Sequence, residues 1–249
     1  MTAQDTVVDV SHDWEQACLV QARLMQGMLR NPGSVQYGAS CRQMRALGGD
    51  CYDFSRLAGG QFAFLLGDAS GKGVAAALIM ASVRASLRTA ALFRADDLSA
   101  LLAIVNVQAC AVSLAENYVT LFYAVLEPGT RWLRYVNAGH NPPAVFHEDG
   151  AIEWLVSSGA PVGLFSDLSW REQFIQLRPG GRILACTDGV TDALNSKGES
   201  WGIDGLLRAV QINRHESVDD LVRSIFAAMD EYTQSVQTDD AARAVLKIS

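Results

Sequence analysis

Cysteine is scarce in this sequence, and its spacing excludes a disulfide framework or a zinc site. The chain has five cysteines, an odd number with no CxxC pair, which is typical of reduced thiols in a reducing compartment. The acidic N-terminal segment lacks the basic start of a signal peptide. We therefore expect a cytoplasmic protein.

Long apolar runs and basic clusters are missing as well. The most apolar window, residues 74–93, is broken by Arg84 and Arg88, whereas a membrane span needs about 20 apolar residues. Twenty Lys and Arg stand against 27 Asp and Glu, for a net charge of −7. Because no basic run interrupts this balance, we expect neither membrane nor nucleic acid among the partners.

The chain does contain enough apolar sequence for a full core. Of its 249 residues, 49% are hydrophobic and 19% are charged, as in a globular domain and unlike a disordered chain. We expect a flexible polar tail over 1–12 and a single domain over 13–249. No linker, repeat or low-complexity tract interrupts that second segment.

Hydrophobic periodicity divides this domain into separate runs of helices and strands. Helical spacing covers 14–29, 74–93, 96–113, 203–211 and 217–233. Strand patterns, separated by turns with Gly or Pro, cover 61–66, 118–126, 131–137, 144–147, 152–156, 170–177, 182–187 and 244–248. Segregated runs of this kind favour an α+β layered fold over strict βαβ alternation.

The glycine-rich turn that ends the strand at 61–66 allows three interpretations. A phosphate-binding P-loop requires four residues between its first Gly and the Gly-Lys pair, but only three separate Gly67 from Gly71. A dinucleotide fingerprint fits Gly71, Gly73 and Ala76, yet no second parallel strand follows, so a nucleotide-dependent oxidoreductase is the least favoured function. A turn without chemistry leaves Asp68 at the strand end unexplained.

Four aspartates occupy similar positions at the ends of predicted elements. They are Asp50, Asp68, Asp188 and Asp239. Mg²⁺ and Mn²⁺ prefer carboxylate, carbonyl and water oxygens, and glycine beside the first three permits close approach. Each aspartate is by itself also an ordinary turn or capping residue. The pattern therefore predicts a metal site that only the fold can assemble.

Six motifs, in order along the chain, resemble those of one family. They are Gly48–Phe54, Gly67–Gly73, Thr120–Tyr123, Asn137–Pro143, Thr187–Asp192 and Thr238–Asp240. Together they resemble the SpoIIE-like branch of the PPM (protein phosphatase 2C-type) serine/threonine phosphatases, from about residue 20 to the C-terminus. The resemblance implies two stacked antiparallel β-sheets flanked by helix pairs, an α-β-β-α sandwich with metals at one end.

The resemblance also implies a metal centre with two Mn²⁺ or Mg²⁺ ions. The implied ligands are Asp50, Asp68, Asp188, Asp239 and the backbone carbonyl of Ala69. Asp68 would bridge the two ions, while Asp53 and Asp240 would make outer-shell contacts or hold a weaker third cation. In such a site, a metal-activated water hydrolyses phosphoserine or phosphothreonine on a protein. No covalent intermediate is needed, so Cys51 and Cys186 are expected to be packing residues.

Several positions near these motifs have two possible roles. Ser70 stands where eukaryotic relatives have a His, and its hydroxyl is a poor acid near neutral pH. Arg45 precedes Asp50 by five residues, as the phosphate-binding Arg of those relatives precedes its Asp, but the flanking residues do not match. Phosphate binding and a solvated surface role are therefore equally favoured for Arg45. Lys72 is a second phosphate-binding candidate, with a solvated side chain favoured. His140 lacks a partner at ligand spacing and is expected to fix a turn.

The sequence thus predicts a metal-dependent protein serine/threonine phosphatase. The resemblance implies a regulatory phosphoprotein as substrate, such as a STAS-domain anti-sigma-factor antagonist. The alternative is a catalytically weak phosphatase-fold module that binds a signalling partner, as Ser70 and Arg45 suggest. In relatives the helix matching 14–29 joins a sensor or partner module to the catalytic domain, so we also expect control, either by a separate sensor or regulator or by sequence beyond residues 1–249.

Overall fold

A computed structural model describes residues 3–25, 35–113 and 116–248 of the chain. Its strands are β1 (Val35–Arg42), β2 (Cys51–Arg56), β3 (Phe62–Ala69), β4 (Val119–Glu127), β5 (Trp132–Ala138), β6 (Ala144–Phe146), β7 (Ile152–Trp154), β8 (Gln173–Gln176), β9 (Arg182–Cys186) and β10 (Ala241–Ile248). Its helices are α1 (Ala3–Met25), α2 (Val74–Arg94), α3 (Leu98–Val112), α4 (Asp188–Thr191), α5 (Gly202–Ile212) and α6 (Val218–Thr233).

These strands form two antiparallel sheets that pack face to face. The first sheet has the order β1-β10-β9-β6-β7 and the second the order β2-β3-β4-β5-β8. β3 shows why both faces of a central strand are apolar: Phe64 and Leu66 lie in the core between the sheets, while Ala63 and Leu65 pack towards α2 and α3. Side chains that alternate along a strand serve two layers at once.

The helices cover the outer face of each sheet. α2 and α3 pack on the second sheet, and α5 and α6 pack on the first. The buried face of α6 carries Val222, Ile225 and Met229 at helical spacing, and the Ser217 hydroxyl caps its first turn by accepting a hydrogen bond from the Asp220 amide at 3.2 Å. This architecture confirms the predicted α+β sandwich.

The predicted flexible tail over 1–12 is wrong from Ala3 onward, because α1 begins there. Residues 3–25 include neither Gly nor Pro, so the segment has no strong helix breaker. A polar helix of this kind needs no apolar stripe where it faces water, and residues 11–17 are exposed. The predicted end of this helix at residue 29, and the turn at 31–33, lie outside the described residues.

Other differences are local. The sequence pattern identifies neither β1 nor β2 as a strand, since polar residues and Gly38 interrupt their apolar alternation. The strand predicted at 170–177 shortens to Gln173–Gln176, because Trp170 turns away and donates from Nε1 to the Ala160 carbonyl at 2.8 Å. β10 begins at Ala241 rather than 244, which brings it next to Asp240.

α2 is the only helix in the described part of the chain with the length and apolar composition to cross a membrane. Half of its most apolar window is buried inside the protein. Met80, Val83 and Leu87 belong to the core beneath the second sheet. This burial is the setting of the core helix of a folded domain.

Candidate metal centre

Strand register brings the four predicted aspartates to one end of the sandwich. In the second sheet Cys51 pairs with Gly67, so Asp50 and Asp68 lie side by side where β2 begins and β3 ends. In the first sheet Arg243 pairs with Cys186, so the end of β9 lies beside the start of β10. Asp188 and Asp239 flank those two points. Segments far apart in sequence thus meet at one edge.

Burial and neighbouring charges raise the pKa values of three of these carboxyl groups, those of Asp50, Asp68 and Asp188. Burial raises the pKa of Asp50, which is 1% exposed, well above its ordinary value, and the charge of Asp68 adds to the shift. Burial, with Asp188 and Asp239, raises the pKa of Asp68 to about 7. Burial and like charge both disfavour the ionised carboxyls, and a bound cation would stabilise those ionised forms.

Two glycines leave room at this edge that a side chain would fill. A Cβ on Gly49 would lie 2.7 Å from the carbonyl oxygen of Ala69, and one on Gly189 would lie 1.8 Å from the carbonyl oxygen of Asp240. The predicted carbonyl ligand of Ala69 is therefore approached only by backbone on this side. Such close approach requires glycine, which explains the two glycines beside the aspartates.

The oxygen donors at this edge suit a hard divalent cation, although their side chains do not converge on one point. Within residues 3–25, 35–113 and 116–248, no three His, Cys, Asp or Glu side chains are grouped closely enough to hold an ion. The site is suited to a cation by its backbone arrangement, because four chain segments bring oxygen donors to the same edge.

Lys72 places a positive charge beside Asp239 at this edge. Its Nζ lies 2.8 Å from Oδ2 of Asp239 and donates to the Thr238 carbonyl at 3.1 Å. Arg45 is exposed and stands over the glycine turn, with Nη1 3.5 Å from the position of a Cβ on Gly73. Both predicted phosphate-binding residues therefore lie at the mouth of the site, and Lys72 is ion-paired rather than freely solvated.

Asp240 positions the loop that leads to Asp50. Its Oδ1 accepts from the Met44 amide at 2.7 Å and its Oδ2 from the Gly49 amide at 2.8 Å. From α1, Gln21 donates to the Gly48 carbonyl at 2.7 Å. Both oxygens of Asp240 thus accept from backbone amides, and its role as an outer-shell or third-cation ligand stays a prediction.

Asp53 is a correction to the predicted site. It lies on the face of β2 that packs against α2, where its Oδ1 accepts from Arg84 at 3.0 Å and from Arg88 at 2.7 Å. The Asp53 and Arg84 side chains are 5% and 9% exposed. A carboxylate neutralised by two guanidinium groups in a core is a structural ion pair, so Asp53 does not serve the metal centre.

Two side chains near the motifs have structural roles. The Ser70 hydroxyl accepts from the Tyr118 amide at 2.9 Å, which ties the glycine turn to β4. The His140 amide donates to Oδ1 of Asn137 at 2.8 Å, and its Nδ1 lies 3.0 Å from the Thr120 hydroxyl, which confirms the predicted role in a turn. Burial lowers the pKa of His140 to about 4, so the ring is neutral near pH 7.

The two cysteines beside the motifs are packing residues, as predicted. Cys51 lies in the core under α2 and Cys186 in the core under α5 and α6. Burial raises the pKa of each thiol to about 12. A thiol that stays protonated is a poor nucleophile.

Thr187 is a residue of this site whose role the sequence did not predict. Its Oγ1 donates to Oδ2 of Asp50 at 2.7 Å and accepts from the Ala242 amide at 2.9 Å. Thr187 lies in the Thr187–Asp192 motif, directly before Asp188, so the sequence alone shows a hydroxyl residue at this point. Its partner lies 137 positions earlier, and only the fold shows that contact.

Two stacked antiparallel sheets with aspartates gathered at one end define a PPM (protein phosphatase 2C-type) phosphatase domain. The family model described as "Stage II sporulation protein E (SpoIIE)" matches residues 58–249. The chain belongs to this family.

Curated relatives agree with this assignment. The chain is 27% identical over 237 residues to Protein IcfG of Synechocystis sp., covering 82% of this chain but 36% of that protein. It thus spans little more than a third of IcfG. It is 24% identical over 245 residues to Phosphoserine phosphatase RsbU of Bacillus subtilis, covering 96% of this chain and 71% of RsbU.

Solved structures share the fold. The SiaA-PP2C domain of Pseudomonas aeruginosa superposes with a TM-score of 0.84 at 18% identity, covering 100% of both chains. The catalytic domain of serine threonine protein phosphatase PstP, in complex with two manganese ions, superposes with a TM-score of 0.63 at 17% identity, covering 86% of this chain and 98% of PstP's. At these identities the likeness concerns the fold.

Proposed function

We propose that the protein is a metal-dependent protein serine/threonine phosphatase. The observation that carries the proposal is that strand register brings Asp50, Asp68, Asp188 and Asp239 to one edge, where burial and neighbouring charges raise the pKa values of the first three. Membership of the SpoIIE family supports it, as does the likeness to RsbU, which is named a phosphoserine phosphatase.

The proposed cofactor is a pair of Mn²⁺ or Mg²⁺ ions. The residues that would hold them are Asp50, Asp68, Asp188, Asp239 and the carbonyl of Ala69, and PstP, a structural neighbour, holds two manganese ions. When bound, such a pair supplies an activated water and neutralises the charge of the phosphate. Asp68 is the proposed bridge between the two ions, as its motif position in the family implies.

Two cations of this chain are proposed to receive the phosphate at the mouth of the cleft. Lys72 and Arg45 lie there, and the side chains of Lys72 and Asp239 are 36% and 43% exposed. An open site of this kind admits a phosphorylated side chain that projects from a protein surface. Guanidinium and ammonium groups attract the phosphate and orient it towards the aspartates.

A regulatory phosphoprotein is the proposed substrate. A STAS-domain anti-sigma-factor antagonist is our specific candidate, supported by the family and by the likeness to RsbU. We place the reaction in the cytoplasm, under the control of a separate sensor or regulator. The substrate is tested by comparing kcat/KM for a phosphorylated STAS protein with that for an unrelated phosphoserine protein.

The activity is tested by phosphate release from a phosphoserine peptide and from p-nitrophenyl phosphate, with and without Mn²⁺. Release is expected only with metal, and Asp188→Asn should abolish it. Asp204→Asn, the same change at an exposed position of α5, is the matched control and should keep wild-type activity. Metal-independent release, or an active Asp188→Asn protein, would contradict the site assignment.

A phosphatase-fold binding module is the second candidate. The Ser70 hydroxyl accepts a hydrogen bond from the Tyr118 amide, and no His stands at this position to act as a leaving-group acid. This candidate predicts that a phosphoprotein binds while neither Mn²⁺ binding nor phosphate release is measurable. Calorimetric titration with Mn²⁺ separates the two, since the enzyme should show metal binding.

A further inference from the structure

We propose that Thr187 is a positioning residue of the metal centre, whose hydroxyl holds the Asp50 carboxylate in the orientation that binds a cation. The inference rests on the proposed function, because it assigns Asp50 to a metal. Thr187 belongs to the Thr187–Asp192 motif, and the inference adds a role for its hydroxyl that neither the motif nor the comparisons state. The contact that carries it is the 2.7 Å bond from Thr187 Oγ1 to Asp50 Oδ2.

The direction of that hydrogen bond follows from the other partners of the hydroxyl. The Ala242 amide donates to Thr187 Oγ1 at 2.9 Å, so the hydroxyl acts there as an acceptor. Its own hydrogen has two acceptors within reach: Asp50 Oδ2 at 2.7 Å and the Ala242 carbonyl at 3.3 Å. The contact to the Asp50 carboxyl oxygen is the shorter of the two, so the hydroxyl hydrogen is directed to it. Thr187 therefore donates to Asp50.

Burial makes this contact specific. Thr187 is 0% exposed and Asp50 is 1% exposed, so water does not replace the hydroxyl if it is removed. One Asp50 oxygen, Oδ2, is committed to Thr187, which leaves Oδ1 available for a cation. A buried carboxylate without its donor loses both a hydrogen bond and its fixed orientation.

The contact also joins the two sheets at the metal end. Asp50 directly precedes β2 in the second sheet, and Thr187 directly follows β9 in the first. The Thr187 backbone is itself held, because its amide donates to the Ala242 carbonyl at 2.9 Å. Since Asp188 is the next residue, the hydroxyl sets the position of Asp50 relative to Asp188. Partners of this kind orient ligands, and their loss typically weakens metal binding about 10- to 100-fold.

The test measures Mn²⁺ affinity by calorimetry for the full chain carrying Thr187→Val or Thr187→Ser. Val matches Thr in shape but lacks the hydroxyl, and Ser restores it without the methyl group. We expect Thr187→Val to bind Mn²⁺ at least about tenfold more weakly and Thr187→Ser to bind close to wild type. A residue that only supports the fold would lower the thermal midpoint of the metal-free protein and leave Mn²⁺ affinity unchanged.

Each outcome is decisive. Equal Mn²⁺ affinity of wild type and Thr187→Val would overturn the inference and leave the proposed function intact. A Thr187→Ser protein as weak as Thr187→Val would also overturn it, because the hydroxyl would not be the cause. If the Val protein does not fold, Thr187→Ala replaces it in the same comparison. A wild-type chain that binds no Mn²⁺ would overturn the proposed function and this inference together.

Discussion

Replacing Asp53 by Asn separates the two roles that this carboxylate has been given. As a metal or outer-shell ligand, Asp53 would matter for Mn²⁺ binding. As the partner of Arg84 and Arg88, it would matter for stability alone. The structure favours the second role, since both of its oxygens accept from guanidinium groups in the core between β2 and α2.

The size of the effect follows from the burial of the pair. Removing one member of a buried ion pair leaves the other charge uncompensated and costs about 3–5 kcal/mol. The Arg84 side chain is 9% exposed, so its charge would stay buried without a partner. The Arg88 side chain is 32% exposed and can be hydrated instead. For a chain of this length, each kcal/mol lowers the thermal midpoint by about 2–4 °C. We expect Asp53→Asn to lower the midpoint by about 6–20 °C.

The assay combines thermal unfolding of the metal-free protein with Mn²⁺ titration of the folded protein. Asp149→Asn is the matched control: it removes an Asp–Arg pair of similar length, to Arg178 at 2.6 Å, whose side chains are 55% and 63% exposed. The thermal midpoint of the control protein should equal that of the wild type, because exposed ion pairs contribute little to stability. An Asp53→Asn protein with a normal midpoint and weakened Mn²⁺ binding would refute the reasoning and return Asp53 to the metal centre.

Three further predictions concern the site and its surroundings. Asp68→Asn should raise the thermal midpoint measured with a chelator, because it removes repulsion from Asp50 and Asp188; a lower midpoint would contradict the mutual repulsion. Gly189→Ala should destabilise the fold by about 1–3 kcal/mol in urea unfolding, since its Cβ would meet the Asp240 carbonyl oxygen at 1.8 Å. For His140, the folded pKa of about 4 lies below the ordinary 6.5, so the unfolded chain binds more protons between these values. Stability should therefore fall by about 3 kcal/mol as pH drops from 6.5 to 4, and His140→Gln should flatten that slope in urea titrations.

Local features of the sequence were enough to predict most of the secondary structure. The alternation of β3 and the apolar stripe of α6 are read within one segment, and each reappears as a buried face. The aspartates at strand ends are also local features, because the glycines beside them mark where a backbone turns. Prediction failed for residues 3–12, where a polar segment without helix breakers formed the start of α1.

Contacts between distant segments were decided by the tertiary structure. Asp50 and Asp53 are three positions apart and both looked like ligands, yet Asp53 lies on the face of β2 towards α2. Its partners Arg84 and Arg88 come 31 and 35 positions later and lie one helical turn apart. The residues next to Asp53 in the sequence do not predict this pairing.

By itself, the sequence determined which residues could bind a cation and in what order they occur. It did not determine which carboxylates a counter-charge already neutralises, nor that the Thr187 hydroxyl reaches Asp50 across the two sheets. The physical reason is that periodicity and turn chemistry act over a few residues, whereas charge pairing and hydrogen bonding act over a few ångströms. Residues that are far apart in the sequence come within contact distance only when the two sheets pack together.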